Sequence, residues 1–186
     1  MRTLATPDSG TRDHILRVAR ELLQTRSYLG FSFQDIADRV GIRKASLYHH
    51  FESKETLGVE VIRGAAQQFK DWSATLPGTP QDKLNAYFTM YRKALRAGAG
   101  VCPAGSLAPG WDNINEELRQ AAREIRHIQI LWLAGVMGGL RGKAASAVTP
   151  AAVFAGCQGG LIAARMTGHP ADFDEAVAPL KIALGL

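Results

Sequence analysis

The chain has 186 residues, 46% of them apolar, with 22 Lys/Arg against 17 Asp/Glu and a formal charge of +5. That length buries a real core as one large domain or two small ones, and the basic balance fits a nucleic-acid partner. Two cysteines outside any metal-ligand spacing exclude a disulfide scaffold and suit a reduced, cytoplasmic setting. The opening MRTLATPDSGTRDH lacks the apolar run of a signal peptide, and the stretch 151–164 is broken by Gln158 and too short to span a bilayer, so no membrane partner is expected.

Residues 1–10, with Pro7, Ser9 and Gly10, read as a mobile lead-in, and Arg2 and Arg12 are sparse material for a minor-groove arm. Over 11–26, Ile15, Leu16, Ala19, Leu22 and Leu23 recur at helical spacing. Then comes SFQDIADRVGIRKASLYHHFESKETL, residues 32–57. Ser32 is an N-cap with Asp35 placed to close a capping box, Ile36, Ala37 and Val40 form an apolar face, and Gly41 stands where a C-cap takes positive φ. A second short helix turns Leu47 and Phe51 inward and leaves Arg43, Lys44, Ser46, Tyr48, His49 and His50 for its ends and outer faces. Ser53 caps a third helix whose apolar pattern, through Val59, Ile62, Ala66, Phe69 and Trp72, runs to about Ala74 before Leu76-Pro77-Gly78 breaks it. The domain boundary is placed along this helix, dividing 1–58 from 59–186.

Thr79 and Pro80 open the next helix as N-cap and N1. Tyr87, Phe88, Met90, Tyr91 and Leu95 are its bulky residues, and Ala97-Gly98-Ala99-Gly100 ends it. The small residues and two prolines of 101–111 suit a short helix between turns. Asn113 with Glu116 boxes the start of a long helix striped by Leu118, Ala122, Ile125, Ile128, Trp132 and Val136, which Gly138, Gly139 and Gly142 end. Thr149 and Pro150 start another, carrying Gly156, Gly159, Gly160 and Ala163, small residues that admit a second helix closely. The last helix, from about 172 to 184, points Phe173, Val177, Leu180 and Leu184 to one side. No strand is predicted, so the chain reads as all-α with about nine helices.

A helix, a Gly-bearing turn and a polar, basic second helix make a helix-turn-helix, whose second helix suits the major groove. Net charge alone would not have located it, since residues 1–60 hold nine Lys/Arg against eight Asp/Glu. The ordered set Tyr28, Ser32, Asp35-Ile36-Ala37, Gly41-Ile42, Leu47-Tyr48-His49-His50-Phe51 and Ser53-Lys54-Glu55-Thr56-Leu57 closely resembles the DNA-binding segment of the TetR family of transcriptional regulators. The resemblance covers about the first third of the chain. It departs at Phe31, where a hydroxyl residue is usual, and at Arg43, which replaces the common Ser opening the recognition helix.

This resemblance implies a three-helix DNA-binding head, a C-terminal ligand-binding and dimerisation domain, and a homodimeric, ligand-responsive regulator of the repressor type on a palindromic operator of double-stranded DNA. The residues expected at DNA are Ser32, Arg43, Lys44, Ser46, Tyr48, His49, His50 and Lys54. Of these, Tyr48 and Lys54 are expected on phosphates, and Lys44 and His49 on bases. The dimer seam is expected on the Gly156/Gly159/Gly160/Ala163 helix together with the last helix.

In the second domain Phe69, Trp72, Tyr87, Tyr91, Trp111, Trp132 and Phe154 stand where helices converge, and most of them must serve as core. The resemblance implies that such aromatics, with Ile128, Cys102 and polar groups such as Gln129 or Gln158, line a pocket for a small apolar or aromatic effector. Cys102 precedes Pro103, where a thiol could meet an oxidant or electrophile, so a sensor acting through Cys102 is the alternative. The C-P-A-G-S-L-A run also resembles a stretch in some TetR-family members that opens the sixth helix. Free cysteine otherwise packs as a small hydrophobe, the reading given to Cys157. His49 and His50, adjacent on a helix, point about 100° apart and make a poor metal pair. No phosphate loop, HExxH or nucleophile–base pattern emerges, so neither cofactor, metal nor enzymatic activity is expected. A helical interaction module with a basic surface is the remaining rival.

Overall fold

The computed structural model describes residues 7–96, 98, 101–140 and 148–186. The expectations attached to Arg2, Ala97, Ala99, Gly100 and Gly142 lie outside the described residues. Among the described residues the chain is helical, with no strand: α1 (Pro7–Arg26), α2 (Phe33–Val40), α3 (Lys44–His50), α4 (Lys54–Ala74), α5 (Pro80–Arg96), a 3₁₀ segment (Gly105–Asn113), α6 (Glu116–Met137), α7 (Pro150–Thr167) and α8 (Ala171–Ala183).

The caps sit largely where side-chain chemistry puts them. Ser32 and Asp35 close a reciprocal capping box on α2, and Gly41 ends that helix at φ 78°. Ser53 accepts from Thr56 N at the start of α4, and Thr149 from Ala152 N at the start of α7. Two starts differ from expectation. Helix α1 begins at Pro7, ahead of residue 11, because proline is preorganised for a first helical position and its missing N–H has no intrahelical partner there anyway. Asn113 ends the 3₁₀ segment, and Asn115 is the cap of α6, its side chain accepting from Leu118 N at 2.9 Å.

Helix α1 packs on α2 and α4, α4 runs along α6, and α7 lies along α8. The core falls into two clusters. One joins Ile15, Leu22, Ile36, Leu47, Phe51 and Ile62 to Leu107, Leu118 and Ile125, so the apolar interior of the N-terminal helices continues into the 3₁₀ segment and the first half of α6. The other gathers Phe69, Leu84, Tyr87, Leu133, Val153, Cys157 and Phe173. On α6 the buried line is Leu118, Ala121, Ala122, Ile125, Gln129 and Leu133. The expected stripe is therefore rotated over its second half, leaving Ile128, Trp132 and Val136 half-buried at its border. Helices α4 and α6 cross closely at Gly58, where a Cβ would stand 3.1 Å from Leu118 Cδ2.

The small-residue face of α7 divides in two. Gly156 and Gly160 face α8 of the same chain: a Cβ at 156 would stand 2.3 Å from Leu180 Cδ1, and one at 160 would stand 2.9 Å from Phe173 Cδ2. Gly160 is thus an intrachain packing residue, which corrects its expected place in a seam between chains. Gly159 opens outward with nothing within 4 Å of a built Cβ. Gly160→Leu should overpack α7 against Phe173 and lower stability by about 1–3 kcal/mol. Chemical denaturation checks this, and an unchanged midpoint would contradict it.

Candidate nucleic-acid interface and interior cavity

Helix α3 buries only Leu47 and presents the rest of its surface outward. Arg43, Lys44, Tyr48 and His49 are exposed, while Ser46 and His50 are half-buried. Arg43 occupies the N-cap position with extended backbone (φ −72°, ψ 143°) and makes no side-chain cap bond, as expected of a residue whose side chain cannot reach back to accept. Tyr48 rests on Phe33 with ring centroids 5.2 Å apart, which fixes the ring. Ser32, Lys44, Tyr48, Ser53 and Lys54 surround one depression of about 410 Å³ between the starts of α2 and α4 and the outer face of α3.

Two residues in that group already have structural work. Ser32 Oγ donates to Asp35 Oδ2 at 2.6 Å, and its backbone N–H reaches the same oxygen at 2.8 Å. These hydrogen bonds from Ser32 hold the Asp35 carboxyl below its usual range. Lys54 is turned inward. Its ammonium donates to the carbonyls of Tyr28 and Phe31 and lies 4.4 and 4.3 Å from their ring centroids. Burial lowers its pKa, with Glu55 and Asp35 partly offsetting the shift. The expected outward phosphate ligand is therefore a clamp on the α1–α2 turn, because two carbonyl oxygens and two ring faces offer the ammonium a better site than open solvent. Tyr28 OH completes the clamp by donating to Glu55 Oε1 at 3.0 Å.

A cavity of about 350 Å³, open in part to solvent, lies between α1, α4, α5 and α6, bordered by the chain at Val101–Pro103 and by Leu161 of α7. Of the residues expected around an effector, Phe69, Trp72, Tyr91 and Cys102 line it. Tyr87, Trp132 and Gln158 stand one layer behind. Tyr87 and Tyr91 both donate to Gln129 Oε1 at 2.9 Å, Gln158 Nε2 donates to Tyr91 OH at 3.0 Å, and Trp132 stacks on Tyr87 at 5.6 Å. Ile128 packs between the two core clusters. Phe154 lies under Arg126, and Trp111 packs on the N-terminal core with its carbonyl accepting from Arg119 Nε at 3.0 Å. Neither Phe154 nor Trp111 lines this cavity. Burial pushes the Cys102 thiol up, against partial relief from the Gly105 and Ala104 backbone and from Gln158.

Sequence reasoning missed the cavity's polar wall: Arg20 and Gln24 from α1, and Gln68 from α4. On a periodicity reading all three sit on polar faces, and nothing in their spacing distinguishes a cavity from solvent. The one available signal was Gln129, a lone amide in the apolar run of α6, and it is the cavity residue with the deepest polar burial, at 4% exposure.

Residues 15–61 match the family model described as "Bacterial regulatory proteins, tetR family". The DNA-binding head belongs to the TetR family. The HTH-type transcriptional repressor KstR2 of Rhodococcus jostii is 45% identical over 56 residues, covering 30% of this chain and 28% of that protein. The repressor DhaR of Mycobacterium sp. is 31% identical over 118 residues, 58% of this chain and 57% of that one. This chain thus spans well under two thirds of the length of these curated relatives. A TetR-family regulator from Agrobacterium tumefaciens superposes with a TM-score of 0.85 at 26% identity, over 95% of this chain and 98% of that one. The family match falls on the helix-turn-helix, where α2, α3 and the clamped start of α4 lie. Lys54→Ala should loosen this TetR-type head by about 2 kcal/mol, since it removes charge-assisted bonds to two carbonyls. Thermal unfolding measures it, and an unaltered melt would contradict the clamp.

Proposed function

We propose that this protein is a homodimeric TetR-family repressor that leaves a palindromic operator when a small apolar or aromatic molecule fills the cavity. The observation that carries the reading is the course of α4. Its first turn borders the depression beside Lys44 and Tyr48, and farther along, Phe69 and Trp72 face the cavity. A ligand that binds one placement of Phe69 and Trp72 better than another shifts the helix that carries the head. In the head, Lys44 and His49 read base edges, Tyr48 and Arg43 hold the DNA backbone, and Ser46 and His50 complete the contact. Ser32 and Lys54 position the elements. The functional division stays at 1–58 for DNA and 59–186 for ligand and dimer, although the apolar core crosses it.

The proposed dimer seam is the outward face of α7 and α8. Ile162 and Met166 of α7 and Ile182 of α8 are 50%, 81% and 75% exposed, apolar side chains that a second copy would bury. Gly159, open on the same helix, lets a partner helix approach. The second reading, a sensor acting through Cys102, is favoured by one observation: the thiol lines the cavity. Its burial disfavours the thiolate that such chemistry needs, so noncovalent binding is the preferred mode. Cys102→Ser should keep operator release by the effector and would lose it only if the covalent reading holds.

Operator titrations followed by fluorescence anisotropy test the interface. Lys44→Ala should weaken specific binding and lower the salt slope by about one, and Tyr48→Phe should weaken all sequences about equally. Lys54→Ala should leave the slope alone; a fall of about one would return Lys54 to the phosphate backbone. Met166→Asp should raise the dimer dissociation constant in sedimentation velocity and cut operator affinity with it. A fully dimeric Met166→Asp that binds DNA normally would remove α7 from the seam.

A further inference from the structure

The cavity holds a cation with no counter-ion. Eight other arginines each have a carboxylate oxygen within 4.0 Å; among the described residues Arg20, like the exposed Arg43, Arg126 and Arg165, has none, and of these four it alone lines the cavity. Its guanidinium lies across α4, with Nη1 donating to Gln68 Oε1 at 2.5 Å and Nη2 standing 3.6 Å from where a Cβ on Gly64 would be. Burial depresses its pKa, although a guanidinium stays charged throughout the accessible range. A half-buried cation satisfied only by a neutral amide is poorly compensated, and its unused N–H groups form a fork suited to two carboxylate oxygens.

Gln129 gives an independent sign. Its Oε1 is saturated by Tyr87 and Tyr91, while its Nε2 donates to no described residue. No fully enclosed side-chain nitrogen or oxygen among the described residues lacks a partner, so this amide N–H₂, on a residue only 4% exposed, opens onto the cavity it lines. Arg20 and Gln129 thus both offer donors to the same space, whereas the remaining wall is largely apolar, with Phe69, Trp72, Met90 and Leu161. A hydrocarbon would leave these donors buried and unpaired, which is costly.

Resting on the reading that this cavity holds an effector, we propose that the effector is a carboxylic acid on an apolar or aromatic body, its carboxylate held by Arg20 and a second acceptor group or carboxylate oxygen met by Gln129. Arg20 also sits on α1, which packs against α2, so the acid competes with Gln68 for a bond that ties α1 to α4.

The test is calorimetric titration of the full chain with 4-phenylbutanoate and decanoate, each beside its methyl ester and its alcohol. The acids should bind about tenfold or more tighter than their neutral partners, the effect of one charge-assisted pair. Arg20→Gln should bring that ratio to about one. Gln68→Glu should do the same with Arg20 still present, because the new carboxylate takes the guanidinium internally. That variant should melt no lower than the parent chain, which separates lost recognition from lost fold. Equal binding of acid and ester to the parent chain, or a ratio that survives both substitutions, overturns the proposal, as does failure of every acid to bind. An ester or alcohol that binds as well as its acid and releases operator overturns the acid while leaving the effector reading standing. If neutral aromatic compounds also fail to bind or release, the effector reading falls with it.

Discussion

The structure depends on the crossing of α4 and α6. Gly58 brings the two helices close enough that a single methyl would press on Leu118, and on either side of that point the N-terminal core runs uninterrupted through Ile62, Leu107, Leu118 and Ile125. A head joined by a flexible linker could turn without disturbing the body. Here the head shares its interior with the body, and packed interiors shift between discrete arrangements instead of deforming smoothly. The same helix α6 carries Gln129 into the cavity, so one packed element touches both the head's core and the ligand space.

Further ties run in parallel with that crossing. Tyr28 N–H donates to Ser106 O at 3.3 Å, joining the α1–α2 turn to the 3₁₀ segment that follows the cavity wall at Cys102 and Pro103, while Lys54 and Glu55 hold the same turn from α4. At the C-terminus of α1, Arg165 of α7 donates to the carbonyls of Gln24 and Thr25, satisfying groups the helix leaves open. Gln24 in turn donates to Val101 O at 3.1 Å. The turn at the base of the head is therefore held by the 3₁₀ segment and by the start of α4, and the end of α1 beside it by the helix proposed as the dimer seam.

Local chemistry made most of the helices legible in the sequence. Caps such as Ser32, Ser53 and Thr149 act within three residues, so composition and spacing suffice to place them. Asn113 and Asn115 are equally able caps two residues apart, and only the preceding 3₁₀ turn decides between them. The recognition surface was legible through its ordered motif, but the direction of Lys54 was not. A lysine in the first turn of a helix can face DNA or fold back, and the choice depends on where the Tyr28 and Phe31 carbonyls lie in space. The cavity was legible only in its apolar half. Aromatics advertise burial, whereas Arg20, Gln24 and Gln68 look like any solvated face until α4 is laid against α1. The same limit applies to Gly160: a small residue announces a close neighbour without saying whether that neighbour is Phe173 of its own chain or a second copy.

On the proposed function, cavity occupancy reaches DNA by moving the head as a packed unit on α4. The distance between the two heads of the proposed dimer, read by pulsed electron spin resonance from labels at the exposed Asp38 of α2 with and without an effector that releases operator, tests this. A rigid head carried by its helix should give a displaced distance distribution of undiminished sharpness. An effector that releases operator while leaving that distribution where it was, or that broadens it into a range characteristic of an untethered head, would contradict it.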